Sequence, residues 1–395
     1  MMTLQTEDYS SLKRKLILRD SLTFLSLLLV TIVLFLMTFF LFRSFTSHRE
    51  ELAQRWSARG QAAINAGRPD QAIVALRTAL SYAPGQRSCE LLLALALGDA
   101  GHTEESFNYF LGLWETQPGD GFINLSLARL AAKKNDIQAA INYYRASIFG
   151  TWQGDGVLRR REVRLELSQY FIAHHDLSPA RTELLIIGGN APEDVPLSLT
   201  LAQLLEQAQA PHDALTYYRK VLTQEPKNQI ALDSAARLEY DSGHFDEAHR
   251  LMEQVIHQQE TSPSTREPIT PSDKEMLEDS ARILELAPLK KLPNNERVAR
   301  ILQVRALAKK RFAVCSAQLS VANGLSSPLK DLAAKWTSKD ATASRAALLN
   351  DPAQQDATMQ LVFDTESQTS KICGPPTGDD ALLLQLAKFP KAMEP

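Results

Sequence analysis

The stretch AGRPDQAIVALRTALSYAPG at 66–85 is answered 34 residues later by AGHTEESFNYFLGLWETQPG at 100–119, with the same Ala-Gly opening and Pro-Gly close. Pro192 and Pro226 are again 34 apart, whereas Pro118 and Pro192 are 74 apart, two periods plus six. A short insertion therefore lies between them, and the irregular TWQGDGVLRRRE at 151–162 is where it belongs. Inside each period the apolar residues follow helical spacing. Trp56, Gly60 and Ala63 share one face of a first helix, and Ala72, Leu76 and Ala79 one face of a second. Gly67 supplies a left-handed stop, Pro69 with Asp70 restarts the chain, and Pro84 ends the second helix. Neither helix can bury its stripe alone, so each pair must lean on a copy of itself. That requirement restricts this part of the chain to stacked helical hairpins.

Six units follow, at 53–86, 87–120, 121–154, 161–194, 195–228 and 229–262. Their first helices carry a small residue as Gly60, Ala94, Ala128, Ser168, Ala202 and Ala236. Their second helices carry a close-contact residue as Ala72, Ser106, Ala140, Ala180, Ala214 and Ala248, and a large one as Leu76, Phe110, Tyr144, Leu184, Tyr218 and Met252. On these residues the chain resembles the tetratricopeptide repeat family, and its membrane-anchored bacterial members in particular. The resemblance implies an all-α fold, an α-solenoid of about six helix-turn-helix units acting as a protein-binding scaffold. Trp152 and Glu260 stand where a closing Pro is expected, and Ser168 and His175 fill small or Gly places.

Residues 22–42 hold no charge, Gly or Pro, and sixteen of these 21 are Leu, Ile, Val or Phe. At about 1.5 Å per residue such a helix covers roughly the 30 Å hydrocarbon thickness of a bilayer. The expectation is a tail at 1–20 and a transmembrane helix at 21–43. The alternative, a cleavable signal peptide, has a shorter apolar core and a small-residue exit. Here the exit is FRSFTSHREEL. Lys13, Arg14, Lys15 and Arg19 precede the span, and Arg43, Arg49 and Arg55 follow it. That balance leans towards a cytoplasmic N-terminus and a periplasmic or extracytoplasmic body. A formal charge of −3 offers no basic excess for nucleic acid.

The concave wall of stacked hairpins comes from their first helices. In this register the peptide-binding groove is lined by Gln61, Leu91, Leu95, Leu125, Arg129, Lys133, Leu165, Gln169, Leu199, Gln203 and Arg237, with Ser57 beside the first. Leucines flanked by amides and cations suit a peptide: pockets give area, amides bond its backbone, and Arg or Lys takes a carboxylate. Burial between neighbouring hairpins is the alternative for each leucine. Family members that grip chaperone C-termini carry Lys and Asn on the first hairpin, where this chain has Ser57 and Gln61, so that partner class is disfavoured. The arginines of RRREVR, at 159–164, oppose a helix start and call for an acidic partner, lipid headgroups or a helix beginning near Asp155.

QQETSPSTREPITPSDKEM, at 258–276, is rich in Ser, Thr and Pro, and a linker is expected at 263–271. Beyond it, residues 272–395 lose the beat but keep helical patterning: a long helix at 294–319 and shorter ones near 275–287, 328–337, 340–349, 353–370 and 379–389. Such a region can cap the exposed face of the last hairpin. Cys315 and Cys373 are either bridged, in an oxidising compartment, or two free thiols. CGPPTGDD lacks the Lys that a phosphate loop needs, and no nucleophile elbow, HExxH or paired CxxC is present. The missing CxxC pairs also tell against the anchored repeat proteins of lipopolysaccharide assembly. No catalytic residue, cofactor, metal or small-molecule substrate is therefore expected. The reading is a membrane-anchored scaffold for a protein or peptide partner. Its alternatives are an assembly chaperone or quality-control adaptor for envelope proteins, and an enzyme with its chemistry in the C-terminal region.

Overall fold

In the computed structural model, which describes residues 6–190, 194–261, 270–320 and 327–390, six turns share one backbone geometry. Gly67, Gly101, Asn135, His175, Gln209 and Gly243 all take positive φ, between 54° and 85°. Their spacing is 34, 34, 40, 34 and 34, so the six extra residues fall between the third and fourth turns. In each turn the next residue's N–H donates back five residues, as from Arg68 to the Ala63 carbonyl and from His244 to that of Glu239, both at 2.9 Å. This is the left-handed closure that satisfies the free carbonyls of a helix end.

These turns join α1 (Thr6–Asn65) to α2 (Pro69–Tyr82), α3 (Arg87–Asp99) to α4 (Thr103–Thr116), and α5 (Gly121–Lys133) to α6 (Ile137–Phe149). They likewise join α7 (Gly156–Ala173) to α8 (Leu177–Asn190), α9 (Val195–Gln207) to α10 (Pro211–Gln224), and α11 (Gln229–Asp241) to α12 (Phe245–Thr261). No strand occurs among the described residues, only an isolated parallel bridge between Asp120 and Thr151. The chain divides into two compact units, Met1–Leu167 and Ser168–Pro395, the division falling within α7.

In the first unit, α1 runs unbroken from the apolar stretch into the first hairpin. Residues 22–42 are exposed throughout. Their four hydroxyls are turned inward: Thr23, Ser26, Thr31 and Thr38 each donate to a carbonyl of the preceding turn at 2.8 to 3.1 Å. Further along, Gly60 meets α2 where Leu76 is fully buried. A Cβ at Gly60 would lie 2.5 Å from the Leu76 Cγ. The closest approach of the hairpin is thus at Gly60 and Leu76. The next interface buries Ala72, Leu76 and Ala79 with Leu93, Ala96 and Leu97.

In the second unit the hairpins α9–α10 and α11–α12 stack in order, and α13 (Pro271–Leu286) packs on α12. Most of the expected linker lies outside the described residues; at its end Thr270 forms a capping box with Asp273, and Pro271 opens α13. Then follow α14 (Asn294–Ser320), α15 (Ser327–Lys335), α16 (Lys339–Thr342), α17 (Arg345–Asn350), α18 (Pro352–Cys373) and α19 (Asp379–Lys388). The helix expected at 340–349 is two short ones. Arg305 donates to the Ala343 carbonyl at 2.9 Å and Ser344 caps α17, so the chain breaks there. Val298, Ile301, Val304 and Ala308 of α14 are buried in a core that also takes Phe245 of α12, Leu332, Val362 and Leu383. Phe389 sits edge-on to Phe245, ring centres 6.3 Å apart, and fills the space that a Cβ on Gly243 would need. The C-terminal helices therefore cover the last hairpin. Cys315 of α14 and Cys373 of α18 are joined as a disulfide across 58 residues.

Candidate functional site

The insertion after α6 does not hang free. Gly121 N–H donates to the Thr151 carbonyl and Thr151 N–H to the Gly119 carbonyl, both at 2.8 Å. Trp152 then lays its indole against Gly121, its Nε1 donating to the Ser147 carbonyl at 3.0 Å. A Cβ on Gly121 would come within 2.4 Å of that ring. Asp155 ends the insertion by accepting the N–H groups of Val157 and Leu158, which starts α7 at Gly156 and lengthens it to 18 residues. That cap offsets the nearby arginines. Arg159 pairs with Glu162 at 3.0 Å, and Arg160 donates to the Gly150 carbonyl at 3.3 Å.

Between α3, α5, this loop and α7, all within the first unit, lies a cavity of about 750 Å³. Leu91, Phe122, Leu125, Trp152 and Val163 give it apolar walls, and Gln117 and Gln153 contribute amides. Its charged residues are already engaged. Asp120 caps α5 by accepting the N–H groups of Phe122 and Ile123, at 2.9 and 3.0 Å. Arg129 makes a two-point pair with Glu166, which also accepts the Tyr144 hydroxyl at 2.8 Å. Burial pushes the Glu166 carboxyl up, but Arg129 and Tyr144 together hold it below the usual glutamate range.

Of the residues expected in the groove, Leu91, Leu125 and Arg129 are thus brought to one cavity. Leu95 is half-buried against the cluster of Ala94, Phe110 and Leu127, and Gln61 donates to Asn65 in its own helix. Leu165 is half-buried in α7, and Gln169 is exposed. In the second unit Leu199 is half-buried, while Gln203 lines a shallow polar pocket with Glu206, Tyr218 and Ser234. There Glu206 accepts the Tyr218 hydroxyl at 3.0 Å and Arg237 at 3.4 Å. Burial raises the Tyr218 phenol to about 12, so it stays a donor.

Arg129, Lys133 and Arg237 are read from sequence as receivers of a partner's carboxylate, yet each is bonded within the chain, Lys133 to the Gly98 carbonyl at 3.3 Å. An Arg–Glu–Tyr cluster holds neighbouring first helices together in both units, so these guanidiniums are structural ties. Glu166, Phe122 and Trp152 are the site residues that sequence reasoning missed. One sign of Glu166 was there: an opposite charge on the adjacent first helix, within a turn of the place matching Arg129.

Residues 53–86 match the family description tetratricopeptide repeat. No curated protein matches the chain. Among solved structures, the C-terminal part of a repeat-containing protein from Cytophaga hutchinsonii is 13% identical, with 58% of this chain and 86% of that one covered, at a TM-score of 0.43. A Pseudomonas aeruginosa pilF structure is 16% identical, covering 55% and 95%, at 0.38. A tetratricopeptide repeat protein from Parabacteroides merdae is 13% identical, covering 64% and 92%, at 0.39. Such overlaps are shallow, and the assignment rests on the matched repeat and on the turn that recurs in six hairpins. On that ground residues 53–86 are a tetratricopeptide repeat, and the same turn geometry recurs in six hairpins.

Proposed function

We propose that this chain is a single-pass membrane scaffold that holds a polypeptide partner against its first helices. The observation that carries the reading is α1 itself. Its exposed apolar stretch needs a non-aqueous surrounding, its hydroxyls are all satisfied within the helix, and the same helix goes on to form the first hairpin. From Phe42 to Gly60 is 18 residues, about 27 Å at helical rise, so the first hairpin stands close to the bilayer surface. Confinement beside lipid raises the effective concentration of partner and groove, so modest contacts suffice. The Cys315–Cys373 bridge fits a body on the oxidising side of the membrane, with the N-terminal tail in the cytoplasm.

Two measurements test this. A reporter that is active only in an oxidising compartment, fused after Pro395, is expected to be active; activity only of a cytoplasmic reporter reverses the topology. Crosslinked pull-downs from membranes are expected to lose one stoichiometric partner in a Leu95→Glu, Lys133→Glu chain of unchanged helicity. An unchanged partner list removes the groove reading, and a ladder of many clients turns it towards an assembly chaperone.

A further inference from the structure

Resting on that peptide-binding reading, we propose that the cavity in the Met1–Leu167 unit receives one bulky apolar side chain, Phe, Trp, Leu or Met, from an uncharged extended segment of the partner. A carboxylate taking the Nε edge of Arg129 has to displace Glu166 from two hydrogen bonds, at 2.8 and 2.7 Å, and it would leave that carboxylate half-buried. An entering ammonium has to displace Arg129 from the same pair. Arg159 pairs with Glu162, and Asp120 Oδ1 accepts two N–H groups at the start of α5. Stripping such partners is unfavourable for either sign of ligand charge, because a half-buried ion left unpaired is costly. A neutral occupant disturbs none of them.

What remains uncommitted is apolar. Phe122 is 37% exposed at the cavity although it belongs to a folded helix start. Leu91, Leu125 and Val163 continue the wall, and Trp152 completes it. Trp152 stands at the closing place of the third unit, just before the six-residue insertion. Gly121, with no side chain, is what lets its ring lie there. A volume of about 750 Å³ accommodates a large side chain with its flanking backbone, and the Gln117 and Gln153 amides can meet that backbone. This combination of neutralised charge, apolar wall and amide rim matches a neutral polypeptide segment with one anchor residue.

The test pans phage-displayed random dodecapeptides against the full chain in nanodiscs. One position is expected to enrich Phe, Trp, Leu or Met, with Asp, Glu, Lys and Arg depleted around it. For a synthetic peptide so selected, Kd is expected to rise about tenfold when its anchor becomes Ala, and about as much in Phe122→Ala, the loss of one buried aromatic contact. Phe122 is exposed, so this variant keeps its melting temperature, and Gln153→Asp, on the rim, gives a second one that keeps the fold. Acidic winners, an obligatory free carboxylate, or no enrichment overturns the proposal. If Leu95→Glu abolishes binding but Phe122→Ala keeps the anchor preference, the scaffold reading survives and the cavity inference falls; if neither variant matters, both fall. If the wild type dimerises and Phe122→Ala is monomeric, a second copy fills the cavity and the inference fails.

Discussion

Glu166 holds Arg129 through two hydrogen bonds, Nε to Oε1 at 2.8 Å and an outer guanidinium nitrogen to Oε2 at 2.7 Å. The pair ties α5 to α7 at the edge of the cavity, with the Tyr144 hydroxyl as a third donor. Burial opposes the ionised carboxylate and these donors outweigh it, leaving the folded-state pKa below the ordinary value. A depressed carboxylate contributes stability above its unfolded pKa and loses it as pH falls through the folded value. Wild type is therefore expected to lose stability as pH drops below the ordinary glutamate range, with Glu166→Gln flatter there and weaker by about 1–2 kcal/mol at neutral pH, a figure reduced for partial exposure. Melting curves between pH 3 and 7 check it.

Gly60 has no room for a side chain, because the Leu76 Cγ and Cδ2 lie 2.5 and 2.7 Å from where a Cβ would be. Gly60→Ala is expected to destabilise the first unit by about 1–3 kcal/mol through overpacking. Adding Leu76→Ala should relieve the clash, so a double-mutant cycle is expected to show coupling; additive losses would place the tight contact elsewhere.

Gln209 takes φ 54° in a turn where three of the six hairpins use glycine. An L-residue in this region loses about 1–2 kcal/mol to crowding, partly returned by the greater freedom of an unfolded glycine. Gln209→Gly is expected to raise the melting temperature, with a net gain of about 0.5–1 kcal/mol. A fall in melting temperature would refute this.

Glu366 of α18 is fully buried, and neither carboxyl oxygen has a hydrogen-bond partner among the described residues. Burial pushes its pKa up to about 8, Asp380 adding to the rise and Arg311 opposing it. A raised carboxyl favours the fold fully below its unfolded pKa and loses that contribution as pH climbs through the folded value. Stability of the C-terminal region is expected to decline from about pH 5 to pH 8 in wild type and much less in Glu366→Gln. Thermal melts across that window decide it.

Cys315 and Cys373 close a loop of 58 residues inside the C-terminal helices. Reduction, or Cys315→Ser with Cys373→Ser, is expected to destabilise that region by about 2–4 kcal/mol by freeing the unfolded chain. Cys89 is a buried thiol in the other unit, so thiol titration of the denatured, unreduced chain should find one sulfhydryl.

Much of the architecture was legible because its causes are local. The apolar spacing and the turn landmarks lie within one period, so the hairpin can be read from a single repeat even where His175 or Gln209 replaces glycine. The C-terminal helices were visible in outline, but the break at Ala343 was not, since it depends on Arg305 arriving from 38 residues away. The groove was legible as a list of inward places and not as a site. Leu91, Leu125 and Arg129 do share a cavity, whereas Arg129 is already spoken for by a residue 37 positions on.

By itself, then, the sequence determined the stacked hairpins, their turns and the long apolar helix, because each follows from periodicity and backbone preference over a few neighbouring residues. Only the tertiary structure decided where the cavity lies, which charges are neutralised and what the insertion does. Those outcomes depend on Trp152 meeting Gly121 and Glu166 meeting Arg129, contacts that exist only once separate helices have packed.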